Sequence, residues 1–186
     1  NDGIVGSFGT DSVISNIWVE HSKTGAWIVN SDGLRIHGCR FRDTIADGLN
    51  LCVGVRNTVV SNCSARGTGD DCFAMWPATY EKARYTPGHN QFVHCTAQLP
   101  FMAPAFAIYG GDANCVEACR AVDIPYGAGA LARTMFPTEV GFSGMTRFER
   151  IAMLRAGDRD GAIAVMTNLR DLDGVRFEAT DVVNSP

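Results

Sequence analysis

The sequence predicts an all-β fold, a parallel β-helix of roughly seven coils, and three observations carry that expectation. Short apolar segments recur every 22 to 32 residues, the same residue classes return at the same offsets, and no stretch sustains an apolar face at helical spacing. Ile14, Ile36, Val60, Phe92, Val116, Phe148 and Phe177 form one column, with steps of 22, 24, 32, 24 and 32 residues across the first six. Three residues beyond each of those six stand Ile17, Cys39, Cys63, Cys95, Cys119 and Ile151.

A second column, Ala26, Leu49, Phe73 and Phe106, is answered two residues later by Ile28, Leu51, Met75 and Ile108, which is the alternation of a strand with one buried side. The segments read as strands of 4 to 6 residues, rich in Val, Ile, Phe and Cys and bounded by turn-forming Gly, Asn, Asp and Ser. One coil cannot cover its own inward side chains. Stacking buries them, at about 25 cal/mol per Å² of apolar area, with rungs about 4.7–4.9 Å apart. The 32-residue steps imply coils with extra loop, and one insertion is placed over residues 77–90, "PATYEKARYTPGHN". A doubly wound α/β domain is the rival fold, disfavoured because the connecting stretches lack helical amphipathicity.

With 186 residues, 46% of them hydrophobic, the chain can bury a core, and its length favours one domain. The charged fraction is 19%, the net charge is -4, and Lys and Arg form no run, so nucleic acid, an anionic membrane surface and a polyanionic substrate are not expected partners. No apolar stretch approaches the roughly 20 residues of a membrane span. The opening "NDGIVGSFGT" has neither an initiating Met nor the pattern of a secretory leader, and is expected to be the interior of a longer β-helix domain. The seven cysteines form no paired CxxC of a zinc site. Cys39 with Cys63, or Cys95 with Cys119, would come near disulfide distance across a rung, but a ladder of buried free thiols is the plainer expectation.

The coil alignment gives "IADGLNLC" (45–52) and "GTGDDCFAMW" (67–76) their interest. Asp47 and Asp71 each stand two residues before a second-column position, so they are expected to stack one rung apart, with mutual repulsion unless a proton, water or cation intervenes. Asp70 joins them on one exterior face if the backbone turns there, which Gly67, Gly69 and Gly48 would permit. Three such acids suit glycoside hydrolysis with inversion: one carboxyl protonates the leaving oxygen and a carboxylate activates water, typically about 6.5–9.5 Å away. The structural alternative is an acid cluster at a turn, or one that binds calcium. Strand parity turns Trp27 outward in register with Asn50, and puts Trp76 and Tyr109 in a shared outward column; Tyr80 and Tyr85 in the insertion would overhang the same groove. Such rings suit the apolar faces of sugars. The four histidines form no catalytic constellation.

"DGLNL" (47–51) and "TGDDCFAMW" (68–76), one coil apart and followed by an aromatic-rich insertion, resemble the catalytic core of glycoside hydrolase family 87, the α-1,3-glucanases and mycodextranases; "GAGALARTMFPTEVGFSGMTRFER" (127–150) is also similar to that family's β-helix. The resemblance implies a right-handed parallel β-helix, secretion to the extracellular space, flanking β-sandwich domains in the parent protein, and an inverting mechanism on α-1,3-glucan or alternating α-1,3/α-1,4-glucan with Asp47, Asp70 and Asp71 as the essential acids. A weaker likeness to polygalacturonases fails on their Gly-His-Gly and Arg-Ile-Lys motifs, for which "PGHNQ" (87–91) is only a partial echo.

The expected activity is therefore an inverting α-glucan hydrolase with Asp70 as general acid and Asp47 with Asp71 as the water-activating pair; exchanging Asp70 and Asp71 is nearly as consistent with the spacing. Asn50, Trp76, Tyr80 and Tyr109 are the expected substrate contacts. No metal or cofactor is required, and structural calcium is the one ion the acids would suit. The competing expectation is a non-catalytic glycan-binding β-helix.

Overall fold

The computed structural model describes residues 1–185, and among them it contains strands and turns but no helix. Three seven-stranded sheets run the length of the molecule, each coil contributing one strand to each. The first sheet stacks Ile4–Thr10, Ala26–Asp32, Leu49–Leu51, Phe73–Met75, Phe106–Ile108, Ala130–Thr134 and Ile163–Thr167. The second begins at Val13–Ser15 and ends at Val175–Glu178; the third runs from Trp18–Glu20 to Asp181–Val183. All pairings within the three sheets are parallel, which is the expected β-helix of seven coils.

Both sequence columns are ladders of this solenoid. Ile14, Ile36, Val60, Phe92, Val116, Phe148 and Phe177 are successive partners in the second sheet. Ala26, Leu49, Phe73 and Phe106 are partners in the first. Their side chains fill the lumen, where Phe41, Phe73, Phe92, Phe106 and Phe148 are fully buried and Phe73 stacks on Phe106 with ring centres 5.4 Å apart.

Most strands are three residues long, shorter than the expected 4 to 6, and a left-handed residue ends each of the three-residue strands in the second and third sheets. Asn16, Gly38, Asn62, His94, Ala118, Arg150 and Ala179 each follow a second-sheet strand, with φ between 48° and 65°. The ladder nevertheless continues through the corner: Asn16 N donates to His37 O at 2.9 Å, and Asn62 N to Val93 O at 3.1 Å. Gly and Asn accept this conformation readily, whereas Ala118 and Arg150 adopt it at a cost of about 1–2 kcal/mol that the stacked coils must outweigh. His94 is thus a corner residue.

The cysteine column completes that corner. Cys63 Sγ accepts the amide of Cys39 at 3.3 Å and donates to Ser61 O at 3.3 Å; Cys119 Sγ does the same for Cys95 N at 3.3 Å and Glu117 O at 3.2 Å. A small, polarizable thiol both fills the lumen and closes the turn, and all seven cysteines are free and buried.

Extra residues lie where the 32-residue steps required. Residues 77–90 project between Phe73–Met75 and Gln91–Val93, and residues 135–145 lie between Ala130–Thr134 and Thr146–Glu149. The two excursions pair with each other: Thr79 N donates to Thr138 O at 2.8 Å and Val140 N to Pro77 O at 2.9 Å. Together they raise a wall beside the first sheet. Tyr85 does not overhang the groove as expected. It packs instead against the Arg56 guanidinium, 4.7 Å from its ring centre.

The free, buried thiol ladder predicts that all seven cysteines titrate with a thiol reagent after denaturation and that none reacts rapidly in the folded protein. Adding reductant should leave Tm unchanged, whereas a fall on reduction would show that disulfides form.

Candidate active site

The acids stand at the corner that returns the chain from the third sheet to the first. Three successive coils build this corner with the same staple: Ser22 Oγ donates to Thr24 O, Thr44 Oγ1 to Ala46 O and Thr68 Oγ1 to Asp70 O, each at 2.7 Å. Gly25 N then donates to Asp47 O at 3.0 Å and Gly48 N to Asp71 O at 2.8 Å, so Asp47 lies one rung from Asp71, as the spacing required. Of the three glycines, only Gly67 supplies a left-handed turn, at φ 66°. Gly48 is there for space, since a Cβ on it would come within 2.5 Å of Cys72 O and 2.8 Å of Ala65 Cβ; one on Gly69 would collide with Ile45 O.

Asp70 is swung to the same flank, and one carboxylate oxygen from each of Asp47, Asp70 and Asp71 lies within 4.8 Å of the others. The expected exterior placement holds only for Asp70. Asp47 and Asp71 are 6% and 4% exposed, because the side chains around them rise above the corner and leave them on the floor of a cleft of about 510 Å³. Trp27, Trp76, Tyr80, Tyr109 and Phe136 form its aromatic flank; Asp2, Lys23, Thr24 and Ala46 line the other side.

Every expected site residue reaches this cleft, but two of the four expected substrate contacts have their polar ends engaged by the acids. Asn50 Nδ2 donates to Asp47 Oδ2 at 2.7 Å, and the Tyr109 hydroxyl donates to Asp71 Oδ2 at 2.9 Å. Asp70 Oδ1 accepts the Asp71 amide at 3.1 Å. Asp71 Oδ1, Asn50 Oδ1 and Trp76 Nε1 are buried without a protein partner. Tyr80 accepts the indole N–H of Trp27 at 3.1 Å and is half exposed.

Burial disfavours the ionised form of both floor acids. It raises Asp47 to about 7, helped by the nearby charge of Asp70 and opposed by the Asn50 hydrogen bond. Burial, then repulsion from Asp47 and Asp70, carries Asp71 well above the usual carboxylate range, opposed by the Tyr109 hydroxyl. Three carboxyls this close cannot all ionise cheaply, so the group as a unit retains a proton to near neutral pH.

Phe136 was not anticipated from the sequence. A turn whose Met135 and Phe136 amides donate to the Glu139 carboxylate at 3.0 and 3.2 Å holds it in place, with its ring 5.0 Å from Trp76 and 5.3 Å from Tyr109. The signal available was an aromatic residue within the second length excess. A separate group, Cys115 with Glu117 and Glu149, is occupied by ion pairs: Arg150 pairs with Glu117 and Arg147 with Glu149.

The chain spans about a third of the length of the solved catalytic domains it matches. It matches the catalytic domain of Agl-KA with a TM-score of 0.91 and 28% identity, over 99% of this chain and 34% of that one. An aspartate-to-alanine variant of a GH87 alpha-1,3-glucanase catalytic domain, in complex with tetrasaccharides, matches with a TM-score of 0.89 and 28% identity over 97% and 35%. A GH87 alpha-1,3-glucanase catalytic domain in complex with nigerose matches with a TM-score of 0.85 and 28% identity over 97% and 35%. No curated protein matches the chain by sequence. Residues 4–159 match the family described as alpha-1,3-glucanase catalytic domain D2, a span that holds all three acids and the whole cleft beyond Asp2. On that match, the chain belongs to the alpha-1,3-glucanase catalytic domain family.

Proposed function

We propose that this chain supplies the catalytic centre of a secreted hydrolase that cleaves α-1,3-glucosidic bonds of α-glucan with inversion. The observation that carries the reading is the triad itself: two buried acids that resist ionisation beside a third that reaches solvent, beneath a row of aromatic rings. Relatives complexed with nigerose and with tetrasaccharides support the substrate class. In the GH87 relative, three aspartates were replaced singly by alanine; the second and third lie 23 and 24 residues beyond the first, the intervals from Asp47 to Asp70 and Asp71.

Asp47 and Asp71 hold a water between them, and Asp47, the less strongly raised of the pair, takes its proton as the water oxygen attacks the anomeric carbon. The glycosidic C–O bond breaks, and the departing oxygen takes a proton from Asp70, the member exposed enough to reach it. The triad is tighter than the roughly 6.5–9.5 Å usual for inverting carboxyl pairs. Inversion is still favoured, because the two floor acids are recessed, and a water held in front of them reaches the sugar where the carboxylates do not. Asn50 and Tyr109 each direct a donor at an acid, the complement of an acid–base pair. A calcium site would surround the ion with oxygen acceptors instead.

Replacing any one of the three acids with Asn should lower kcat on α-1,3-glucan by about 10²–10⁴-fold. With an activated aryl glucoside, whose leaving group needs no proton, Asp70→Asn should regain most of its rate and Asp47→Asn should not; equal loss on both substrates would remove Asp70 from the acid role. The first-formed anomer, followed by NMR on the time scale before mutarotation, should be β. An α product would mean retention.

The pH dependence of stability gives an independent check. Asp47 ionises at about 7 when folded and at about 3.9 when unfolded, so between these values the folded state holds the extra proton and stability falls as pH rises. Asp47→Asn removes that penalty. Its Tm should match the parent near pH 4 and exceed it at pH 8 by several degrees, at roughly 2–4 °C per kcal/mol for a chain of this size. Identical profiles would show that Asp47 is not held neutral.

A further inference from the structure

We infer that Tyr109 is a positioning residue for the reaction: its hydroxyl pins Oδ2 of Asp71 at 2.9 Å and so fixes the rotation of a carboxyl group whose other oxygen, Oδ1, is buried without a protein partner. This rests on the hydrolase reading above and replaces the expectation that Tyr109 binds sugar. The Tyr109 hydroxyl is the sole side-chain donor to the Asp71 carboxylate among the described residues. Without it, rotation about the terminal torsion of Asp71 is restrained only by packing, since such torsions have broad, shallow preferences.

The sequence builds the arrangement at some distance from the acid. Tyr109 belongs to the coil after the one that carries Asp71, so its ring must lie back across the outer face of the first sheet. Ala74 and Ala107, partners on adjacent strands, leave that face low enough for it to do so. Ala74, Ala107, Ala128 and Leu131 pack with the ring from below, Phe136 meets it edge-on at 5.3 Å, and only 7% of Tyr109 stays exposed. A tyrosine serving mainly to bind sugar would keep its hydroxyl free for the ligand. Here the hydroxyl is committed to the acid, and the second insertion, through Phe136, braces the ring.

The test is steady-state kinetics of the full-length protein on soluble α-1,3-glucan oligosaccharides across pH. Tyr109→Phe keeps the ring and removes the donor. It should lower kcat about 10–100-fold with KM within about twofold of the parent, because a small misplacement of a reacting group is costly while the sugar-facing wall is intact. The acid limb of the kcat profile should also move to higher pH, since a donor to a carboxylate favours its charged form and Asp71 titrates together with Asp47 as one unit. Site-specific 3-fluorotyrosine at position 109, nearly isosteric and a stronger donor, should move that limb to lower pH; it keeps the question answerable if Tyr109→Phe does not fold. Parental kcat and pH profile in Tyr109→Phe would overturn the inference. So would a rise in KM that accounts for the whole loss, which marks a substrate contact. Asp71→Asn, run alongside, separates the two levels: if it stays fully active, the hydrolase assignment of the acids fails, whereas an inactive Asp71→Asn with an unaffected Tyr109→Phe sinks the positioning role alone.

Discussion

A parallel ladder does not let equivalent residues of successive coils move apart. Gly25 N to Asp47 O and Gly48 N to Asp71 O are links in that ladder, and they hold the two aspartate backbones one rung, about 4.8 Å, from each other. Many of the features of the site answer this constraint. Glycine at position 48 lets the neighbouring coil approach, the repeated Ser/Thr staple shapes the corner, and Asn50 and Tyr109 give each floor acid one donor. Because the repulsion arises from backbone register, side-chain rotation relieves it only in part. What remains appears as two carboxyls that give up their protons reluctantly, which is the property that acid–base chemistry near neutral pH requires.

The same register explains why the fold was legible. In a solenoid, spatial neighbours are separated by one coil length, so a stack of buried side chains prints itself on the sequence as a column. The Ile14-to-Phe177 series and the Ala26-to-Phe106 series are such columns, and each survives as a ladder. Asp47 and Asp71 were found by the identical route. Strand lengths were misjudged because the corner residue that ends a strand is chosen by backbone conformation. Asn62 and Gly38 announce such a corner, but Ala118 and Arg150 occupy it equally and carry no signal.

The depth of the acids was not legible, for a related reason. Period and parity say which way a side chain points from its coil; they do not say how high its neighbours rise. Asp47 and Asp71 do leave the coil on its outer side, and yet Trp27, Trp76 and Tyr109 enclose them. Phe136 lay beyond reach because residues 135–145 depart from the coil period, and their place is fixed by pairing with the other excursion. Asn50 and Tyr109 lie on the expected face, but their hydrogen bonds to Asp47 and Asp71 carried no signal in the sequence. Parity gives a direction, whereas a hydrogen bond also needs the small side chains of Ala74 and Ala107 that let a tyrosine lie flat.

Charge distribution bears on the kind of polymer proposed for this groove. Around the rest of the solenoid, outward positions carry ion pairs: Arg56 with Asp32 at 2.8 Å, Arg155 with Asp123 at 2.5 Å, and Arg147 with Glu149 at 2.9 Å. On the outer face of the first sheet, the column through Asn50, Ala74 and Ala107 holds none, and rings take their place. The cleft's formal charges are Asp2, Asp47, Asp70 and Asp71 against Lys23 alone. A chain of uronates would bring one negative charge per residue into that field and would further suppress ionisation of acids that already hold their protons too well. A neutral glucan, the substrate proposed above, would bring none; its apolar sugar faces would suit the aromatic flank, and the only charge to develop during its cleavage would be one the aspartates could meet.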